Sequence, residues 1–281
     1  IRNDHGTIQI AGLLGGAWHF YEDNYPWVAS LESKEAIRKL VEFDHKIDWN
    51  DGVIPQSTKT LEFYQDQLVK YPNCRKAIQI SLPDLQGPLD TADMLWGSEI
   101  FVEILTNPQP VSALLAKIVG VMREVANYYR KYATDRLDPF ANTQHSYNIP
   151  GRILIRNDSA IMVSPDTYRE IVLPHDDELL KSVGGGSIHF CGKGEHLVES
   201  MLDIPYLRGL DFGDPELMDR ERIYSLCSER KVTITNLKPS RQDLVSGRAA
   251  GDYPTGVVFV YNTNDINDAL DVVSQYRYSG N

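Results

Sequence analysis

The sequence predicts an α/β protein of the TIM (β/α)8 barrel class. From residue 76 onward, short apolar strands alternate with longer amphipathic segments, which is typical of parallel strands joined by crossover helices. The chain has 281 residues, and one such barrel takes roughly 250. Several predicted strands also carry polar or ionisable residues toward their carboxyl ends, where barrel enzymes place their chemistry. We therefore expect a single barrel domain over 1–281.

The segment 1–75 is predicted to be a hairpin and helical region that precedes the regular pattern. Helices are expected at about 32–44 and 57–71, after an early loop at 12–27 that is rich in glycine and aromatic residues. The stretch 6–12 is interpreted as one arm of a hairpin.

The segment 76–281 is predicted to contain six βα units. Each predicted strand is a short run rich in apolar and β-branched residues, bounded by turn-forming residues. The strands are expected at 76–82, 152–158, 187–191, 209–213, 231–236 and 256–261.

The helices between these strands are predicted from apolar spacing and from capping residues. The run 111–132 has apolar residues at steps of three and four, which predicts a long amphipathic helix. Ser164-Pro165 and Asp214-Pro215 are each expected to begin a helix, because Ser and Asp favour the N-cap and Pro favours the first turn.

Six strands are two fewer than a closed barrel needs. We therefore expect the first two strands to lie upstream of Ile1, supplied by an upstream segment of the same gene or by another chain. The alternative is that strands have been missed, for example at 143–149.

Composition excludes several kinds of partner. The net charge is −11, and an acidic surface repels nucleic acid and anionic membranes. The longest apolar stretches are far shorter than the roughly 20 residues that span a bilayer. The three cysteines are widely spaced and odd in number, which favours a reducing cytoplasm over a secreted disulfide framework.

Alternation along the strands predicts which side chains share the interior. Four successive strands send polar or ionisable groups to one face, and burying such groups without partners costs several kcal/mol, roughly 2–7 for a neutral group. They are therefore expected to be paired with one another or catalytic. These residues are Gln79, Arg156, Asp158, His189, Cys191 and Asp211, and Asp84 follows the first predicted strand.

His189 and Cys191 form a His-x-Cys pair on one strand. Same-face residues two apart are close enough to hold one metal ion, and an imidazole with a thiolate suits zinc. A catalytic zinc usually has three protein ligands, and the sequence does not identify the third. The alternative is a hydrogen-bonded core histidine beside a small thiol.

The carboxylates are predicted to serve catalysis or substrate binding. Asp158 and Asp211 lie on neighbouring or next-neighbouring strands and form a candidate pair for acid–base work, with Asp84 as a third. The alternative is that they cap loops and pair with arginines such as Arg156. The glycine turn at 191–196 either binds an anion through its amides or is simply a tight turn.

Six segments in unbroken order resemble the uroporphyrinogen decarboxylase family. They include 83-PDLQGPLDTADMLWG-97, which is similar to a "GP-T-A--L-G" segment, and a "D-S-A…SP…Y-E…LP" spacing after the fourth strand. The resemblance covers roughly residues 76–275 and implies a TIM barrel whose first two strands precede this chain. The segments are 83–97, 152–180, 187–197, 207–218, 231–239 and 256–270.

The resemblance implies one of two chemistries. Uroporphyrinogen decarboxylases use no cofactor and take an Arg and an Asp from the first two strands and a His after the eighth, where this chain has Tyr261-Asn262. Corrinoid-dependent methyltransferases carry His-x-Cys on strand five and a Cys after strand eight, and the three hold a zinc ion that activates a thiol. His189 and Cys191 match the first two of these ligands, and no cysteine follows Cys227.

We therefore expect a zinc-dependent methyltransferase that acts with a corrinoid or a methylated small molecule, and possible partners include a corrinoid protein. The alternatives are a cofactor-free decarboxylase of a tetrapyrrole or another polycarboxylate, and a non-catalytic barrel that binds a corrinoid or a partner domain. The residues expected to contact substrate are Arg156, Gln79, Tyr261, Asn262 and His145, the last on a loop leading to a strand.

Overall fold

A parallel sheet of five strands forms the centre of a mixed α/β fold. The computed structural model describes residues 1–3, 5–31, 33–43, 46–133, 141–144 and 147–279. The strands are β1 (Ala17–His19), β2 (Trp27–Ala29), β3 (Ala141–Gln144), β4 (Tyr147–Pro150), β5 (Leu154–Arg156), β6 (Gly186–Phe190), β7 (Leu207–Phe212), β8 (Thr233–Leu237) and β9 (Val257–Phe259).

The strands β5 to β9 pair in chain order, each parallel to the next. Two antiparallel hairpins, β1–β2 and β3–β4, lie outside this sheet. Within the described residues β5 and β9 are the two edges of the parallel ladder, so the observed sheet is an open one.

Helices connect the parallel strands and make up most of the regular structure in the amino-terminal half of the chain. They are α1 (Gln9–Leu13), α2 (Lys34–Glu42), α3 (Ile54–Lys70), α4 (Pro72–Ala77), α5 (Pro88–Trp96), α6 (Ile100–Thr106), α7 (Pro108–Arg130), α8 (Pro165–Thr167), α9 (Leu173–Val183), α10 (Val198–Met201), α11 (Arg220–Arg230), α12 (Arg241–Val245), α13 (Arg248–Asp252) and α14 (Ile266–Ser279). A π-helical turn at Tyr168–Val172 joins α8 to α9.

Five of the six strand predictions are confirmed, and the one at 76–82 is wrong. Helix α4 includes Lys76 and Ala77, and residues 78–82 are not part of a strand ladder. Two backbone hydrogen bonds join this segment to Ile1, one from the Ile1 amino group to Gln79 O and one from Ser81 N to Ile1 O. They make the pattern of one parallel bridge, which is too short to count as a strand.

Two further predictions in loops are wrong. The stretch 6–12 does not form a hairpin arm, because most of it lies in the short buried helix α1. Asp214-Pro215 begins only a single 3-10 turn, and helix α11 starts later, where the Asp219 side chain accepts a hydrogen bond from Arg222 N. The alternative of missed strands at 143–149 is confirmed by the hairpin β3–β4, although it adds nothing to the parallel sheet.

The long helix α7 and the sheet share one large hydrophobic core. Apolar side chains of α7 such as Leu114, Ile118 and Val125 are fully buried, as the spacing predicts. Helix α8 begins as predicted, since Ser164 Oγ accepts from Thr167 N and Pro165 occupies the first turn. No helix in the described part of the chain combines the length and apolar character required to cross a membrane.

Candidate metal centre

Two rows of side chains cross the carboxyl end of the parallel sheet. The register pairs Arg156 with His189, His189 with Asp211, and Asp211 with Thr235. Residues in register on adjacent parallel strands point to the same face, so these four side chains form one row. Asp158 and Cys191 lie two residues beyond Arg156 and His189 and begin a second row nearer the mouth.

The donor atoms of Asp158, His189 and Cys191 all lie within 4.8 Å of one another. His189 Nε2 is 3.3 Å from Cys191 Sγ and 3.7 Å from Asp158 Oδ1. A tetrahedral ion with bonds of about 2.0–2.3 Å would separate its ligand atoms by roughly 3.3–3.8 Å. The two distances from His189 Nε2 lie in this range, and the oxygen, nitrogen and sulfur donor set is one that zinc accepts.

The cluster has a buried side and an open side. The His189 side chain is 5% exposed, whereas that of Asp158 is 41% exposed and Cys191 is exposed at the surface. Three protein ligands with one open direction are typical of a catalytic zinc, whereas structural sites are closed by four.

Asp211 orients the histidine from behind. Its Oδ2 is 2.5 Å from His189 Nδ1, and its Oδ1 accepts hydrogen bonds from Tyr147 Oη (2.8 Å) and Thr235 Oγ1 (2.7 Å). A carboxylate on the far nitrogen of a metal-binding histidine fixes the ring orientation and leaves the near nitrogen to face the metal. The arrangement therefore directs Nε2 toward Cys191 and Asp158.

Without a metal, His189 and Asp211 form a buried ion pair. Burial lowers the pKa of His189, but the hydrogen bond and charge of Asp211 outweigh burial and raise it to about 9. Burial would raise the pKa of Asp211, and the same contacts with His189 hold it below its ordinary value instead. The Nε2 proton must leave before this imidazole can bind a metal.

Asp90 on α5 holds the backbone at Asp158. Its two carboxylate oxygens accept from Asp158 N (3.0 Å) and Ser159 N (2.8 Å). Burial raises the pKa of Asp90 to about 7, although the hydrogen bonds from these amides lower it. Asp158 in turn accepts from Cys191 N at 2.7 Å, so two carboxylates fix the loop that begins after β5.

A fully buried polar cluster supports the same strand end from the core. Asp176 Oδ2 accepts from Asn157 Nδ2 (2.6 Å) and from Tyr168 Oη (2.7 Å). Burial raises the pKa of Asp176 to about 7, in spite of these two hydrogen bonds. Tyr168 begins the π-helical turn, which places its hydroxyl against Asp176.

Asp176→Asn is expected to change how stability depends on pH. Because the folded-state pKa of Asp176 lies above the unfolded value of about 3.9, the folded protein keeps a proton that the unfolded chain loses between pH 4 and 7. Stability from this group is therefore full below about pH 4 and is lost as pH rises toward 7. The variant should gain up to about 4 kcal/mol relative to the parent across that window.

Urea unfolding of both proteins at pH values of about 4.5 and 8 measures this difference. Asp90 titrates in both proteins, so its contribution to the pH dependence of the unfolding free energy cancels in the comparison. A free-energy difference between variant and parent that is the same at the two pH values would contradict the prediction.

The glycine turn after β6 does not present its first two amides to an outside anion. Cys191 N donates to Asp158 Oδ1, and Gly192 N donates to Asp214 Oδ2. This favours the tight-turn alternative. The same two hydrogen bonds argue against a hydrolase. Cys191, His189 and Asp211 are arranged like the nucleophile, base and orienting carboxylate of a catalytic triad. The amides of Cys191 and Gly192, however, are occupied and cannot stabilise an oxyanion.

A glycine directly after the next strand makes room for the thiol. A Cβ at Gly213 would lie 2.4 Å from Cys191 Sγ and 3.2 Å from Cys191 Cα. The position therefore requires glycine if the thiol is to keep its place beside His189.

Asp84 and Arg156 pair with each other beside the cluster. Arg156 Nε donates to Asp84 Oδ2 at 2.6 Å, and Arg2 Nη1 lies 3.2 Å from the same oxygen. Burial would raise the pKa of Asp84, but the charges of Arg156 and Arg2 hold it below its ordinary value. The sequence left open that Asp84 pairs with an arginine, and these are the contacts that Asp84 makes.

None of the other residues predicted to bind substrate is among the three whose donor atoms converge, and one of them lies outside the described residues. Tyr261 donates to Asp268 Oδ2 at 2.8 Å and packs against α12 and α14. Asn262 is exposed beyond β9. Gln79 is half-buried, and its backbone oxygen accepts from the Ile1 amino group. His145 lies outside the described residues.

Sequence reasoning missed two contributors to the site and gave a third a different role. Asp158 was expected to act on substrate, and its geometry makes it the candidate third ligand. Tyr147 and Thr235 hold Asp211 and were assigned no such role. Thr235 had a detectable signal, because it shares the inner face of a predicted strand, whereas Tyr147 comes from a hairpin outside the sheet.

The sheet and the donor set together define a candidate metal centre on an α/β scaffold. In fold the chain is similar to the solved structure of a methyltransferase from Methanosarcina mazei, with a TM-score of 0.67. The match has 12% sequence identity and covers 99% of this chain and 80% of that chain. No protein-family profile and no curated protein matches the sequence.

Proposed function

We propose that this chain is a zinc-dependent methyltransferase with a TIM-barrel scaffold. The single observation that carries the proposal is the convergence of Asp158, His189 and Cys191 donor atoms within 4.8 Å, at the carboxyl ends of parallel strands. The fold likeness to a methyltransferase supports this reading over other uses of the same donor set.

The proposed reaction moves a methyl group from a corrinoid or a methylated small molecule to a thiol. When bound, zinc would lower the pKa of a coordinated thiol and make its thiolate available at neutral pH. The acceptor thiol would release its proton to solvent, and its sulfur would form a bond to the methyl carbon while the bond between that carbon and the donor breaks, with the electron pair left on the donor.

The residues of the chain prepare this step in distinct ways. Asp211 holds the His189 ring through Nδ1, and Tyr147 and Thr235 hold Asp211. Asp158 contributes the oxygen donor in place of the second cysteine found in the methyltransferases that the sequence resembles. The exposed side of Asp158 and Cys191 leaves a direction from which the thiol can enter.

Closure of the barrel is part of the proposal. The segment 1–3, which pairs with residues 79–81, and the segment 79–81 itself would take two strand positions beside β5 to β9, so a barrel of eight would need one whole further strand between β9 and the segment 1–3, together with the rest of the strand to which residues 1–3 belong. Unpaired sheet edges are prone to add strands. The strands would come from an upstream segment or another chain. A corrinoid protein as methyl donor and a cytoplasmic location are likewise proposed.

The test of the metal is its stoichiometry in the purified protein. After removal of bound metal and reconstitution with zinc, we expect about one equivalent of tightly bound zinc, with protons released as the ligands bind. Elemental analysis with a calorimetric titration measures both. A zinc content below about one tenth of an equivalent after reconstitution would end the proposal.

A cofactor-free decarboxylase of a polycarboxylate is the second candidate. The observation that favours it is that Arg2 joins Arg156 at the same end of the sheet, as such substrates require. Both arginines already contact Asp84, which reduces their charge for a substrate with several carboxylates. Decarboxylation by the metal-free protein would support this candidate.

A further inference from the structure

The two residues after β7, Gly213 and Asp214, lie against Cys191. Gly213 N donates to Phe190 O at 3.0 Å, and Gly192 N donates to Asp214 Oδ2 at 2.7 Å. Both chain neighbours of Cys191 are thus tied to this short segment. A Cβ at Gly213 would lie 2.4 Å from Cys191 Sγ, so the glycine backbone is in close contact with the thiol. The place of the thiol therefore depends on where the backbone after β7 is held.

Two side chains from the end of β8 hold the same segment from its other side. Asn236 Nδ2 donates to Phe212 O at 2.8 Å. Lys238 Nζ donates to Gly213 O at 2.7 Å. The backbone ladder between β7 and β8 ends at Thr235, directly before these two residues. Side-chain donors therefore hold the backbone at the point where the ladder no longer does.

Asn236 has a left-handed backbone, with a φ of 64°. Residues other than glycine rarely adopt this conformation, although asparagine tolerates it better than most. Such strain persists only where the surrounding structure holds it, and it is concentrated at functional sites. Here the left-handed residue comes directly after the last ladder pair, and its amide takes up the bond to Phe212 O.

We propose that Asn236 and Lys238 are positioning residues for Cys191. They fix the backbone at Gly213, and this backbone holds the thiol 3.3 Å from His189 Nε2. A ligand that is already held in place loses less conformational freedom when the metal binds. The inference rests on the proposed function, because the thiol is a ligand of the proposed zinc.

Asn236→Gly separates positioning from stability. Glycine adopts the left-handed backbone without strain, which offsets the lost hydrogen bond, so the variant should fold with a urea midpoint close to that of the parent. Its affinity for zinc should nevertheless fall by about 10-fold. The matched control is Lys231→Gly, because Lys231 is also left-handed, with a φ of 56°, and directly precedes the other end of β8. Equal zinc affinities for the two variants would overturn the proposal.

Two variants of Lys238 test the second donor. Lys238→Met keeps an unbranched side chain but removes the ammonium group, and should lower the affinity for zinc by about 10-fold. Lys238→Arg keeps a donor that can reach Gly213 O and should retain most of the affinity. Competition titration with a chromophoric chelator measures both. Parent-like zinc binding by Lys238→Met would overturn the role of this residue.

A measurement on the metal-free protein makes the result independent of zinc. The chain has three cysteines, so labelling with [13Cβ]cysteine gives three resonances whose relaxation reports the order of each side chain. In Asn236→Gly and Lys238→Met the order parameter of Cys191 should fall by about 0.2, the difference between a rigid and a flexible site. Those of Cys74 and Cys227 should stay as in the parent.

The outcomes distinguish this inference from the proposed function. A parent protein that fails to bind zinc ends the proposed function, whereas the order of the metal-free Cys191 side chain still tests the positioning role. An unchanged order parameter for Cys191 in both variants would overturn the inference even if the parent binds zinc. A lower urea midpoint with unchanged Cys191 order would assign Asn236 and Lys238 to stability alone and would likewise overturn it.

Discussion

Cys191→Ser is expected to lower the affinity for zinc by about 100- to 1000-fold. Apparent binding free energies of about 10–16 kcal/mol for four-ligand zinc sites give roughly 2.5–4 kcal/mol per ligand, and about 1.4 kcal/mol is a factor of ten. A serine hydroxyl matches the thiol in shape but stays protonated at neutral pH, so it cannot replace the thiolate.

The same substitution should leave the fold intact. The Cys191 side chain lies at the surface, and the backbone amide of Cys191 keeps its hydrogen bond to Asp158. We expect the free energy of unfolding to change by no more than about 0.5 kcal/mol. Competition titration with a chromophoric chelator measures zinc affinity, and urea unfolding of the metal-free protein measures stability.

Two comparison variants make this result specific. Cys74→Ser changes an exposed cysteine outside the cluster and should bind zinc as the parent does. Asp211→Asn keeps the three ligands but weakens the hold on His189, and should lower zinc affinity by about 10- to 100-fold. Equal zinc affinity for Cys191→Ser and Cys74→Ser would show that the cluster is not the zinc site.

The sequence predicted that most residues of the candidate metal centre share one face, because strand alternation is a strong local signal. His189 and Cys191 are two apart on one strand, so they share a face wherever the strand lies. Asp158 was placed at a neighbouring strand end for the same reason. Its role as a third ligand could not be predicted, because that depends on the register of Arg156 with His189, which no local pattern specifies.

The predictions that failed concern pairing and helix initiation. Residues 76–82 have the alternation of a strand, but alternation predicts only which side chains are buried. Whether the segment forms a ladder depends on a neighbour of sufficient length, and here one residue, Ile1, supplies the backbone bonds. At Asp214-Pro215 the capping signal is real but local, and the Asp214 side chain binds Gly192 N instead.

Gly87→Ala is expected to destabilise the protein by about 3 kcal/mol or more. A Cβ at this position would lie 1.9 Å from Arg156 O and 2.9 Å from Arg156 C. These are backbone atoms of β5, which is held by its pairing with β6, so neither side can move without breaking the sheet edge. The backbone of Gly87 is extended, so the requirement for glycine is one of space.

Gly120→Ala provides the matched control for this prediction. Gly120 lies in the interior of α7, and a Cβ there would meet nothing within 4 Å. Alanine should therefore stabilise the helix by roughly 0.5–1 kcal/mol. Urea unfolding of the two variants should thus give effects of opposite sign, and similar effects would contradict the close approach of the 78–87 segment to β5.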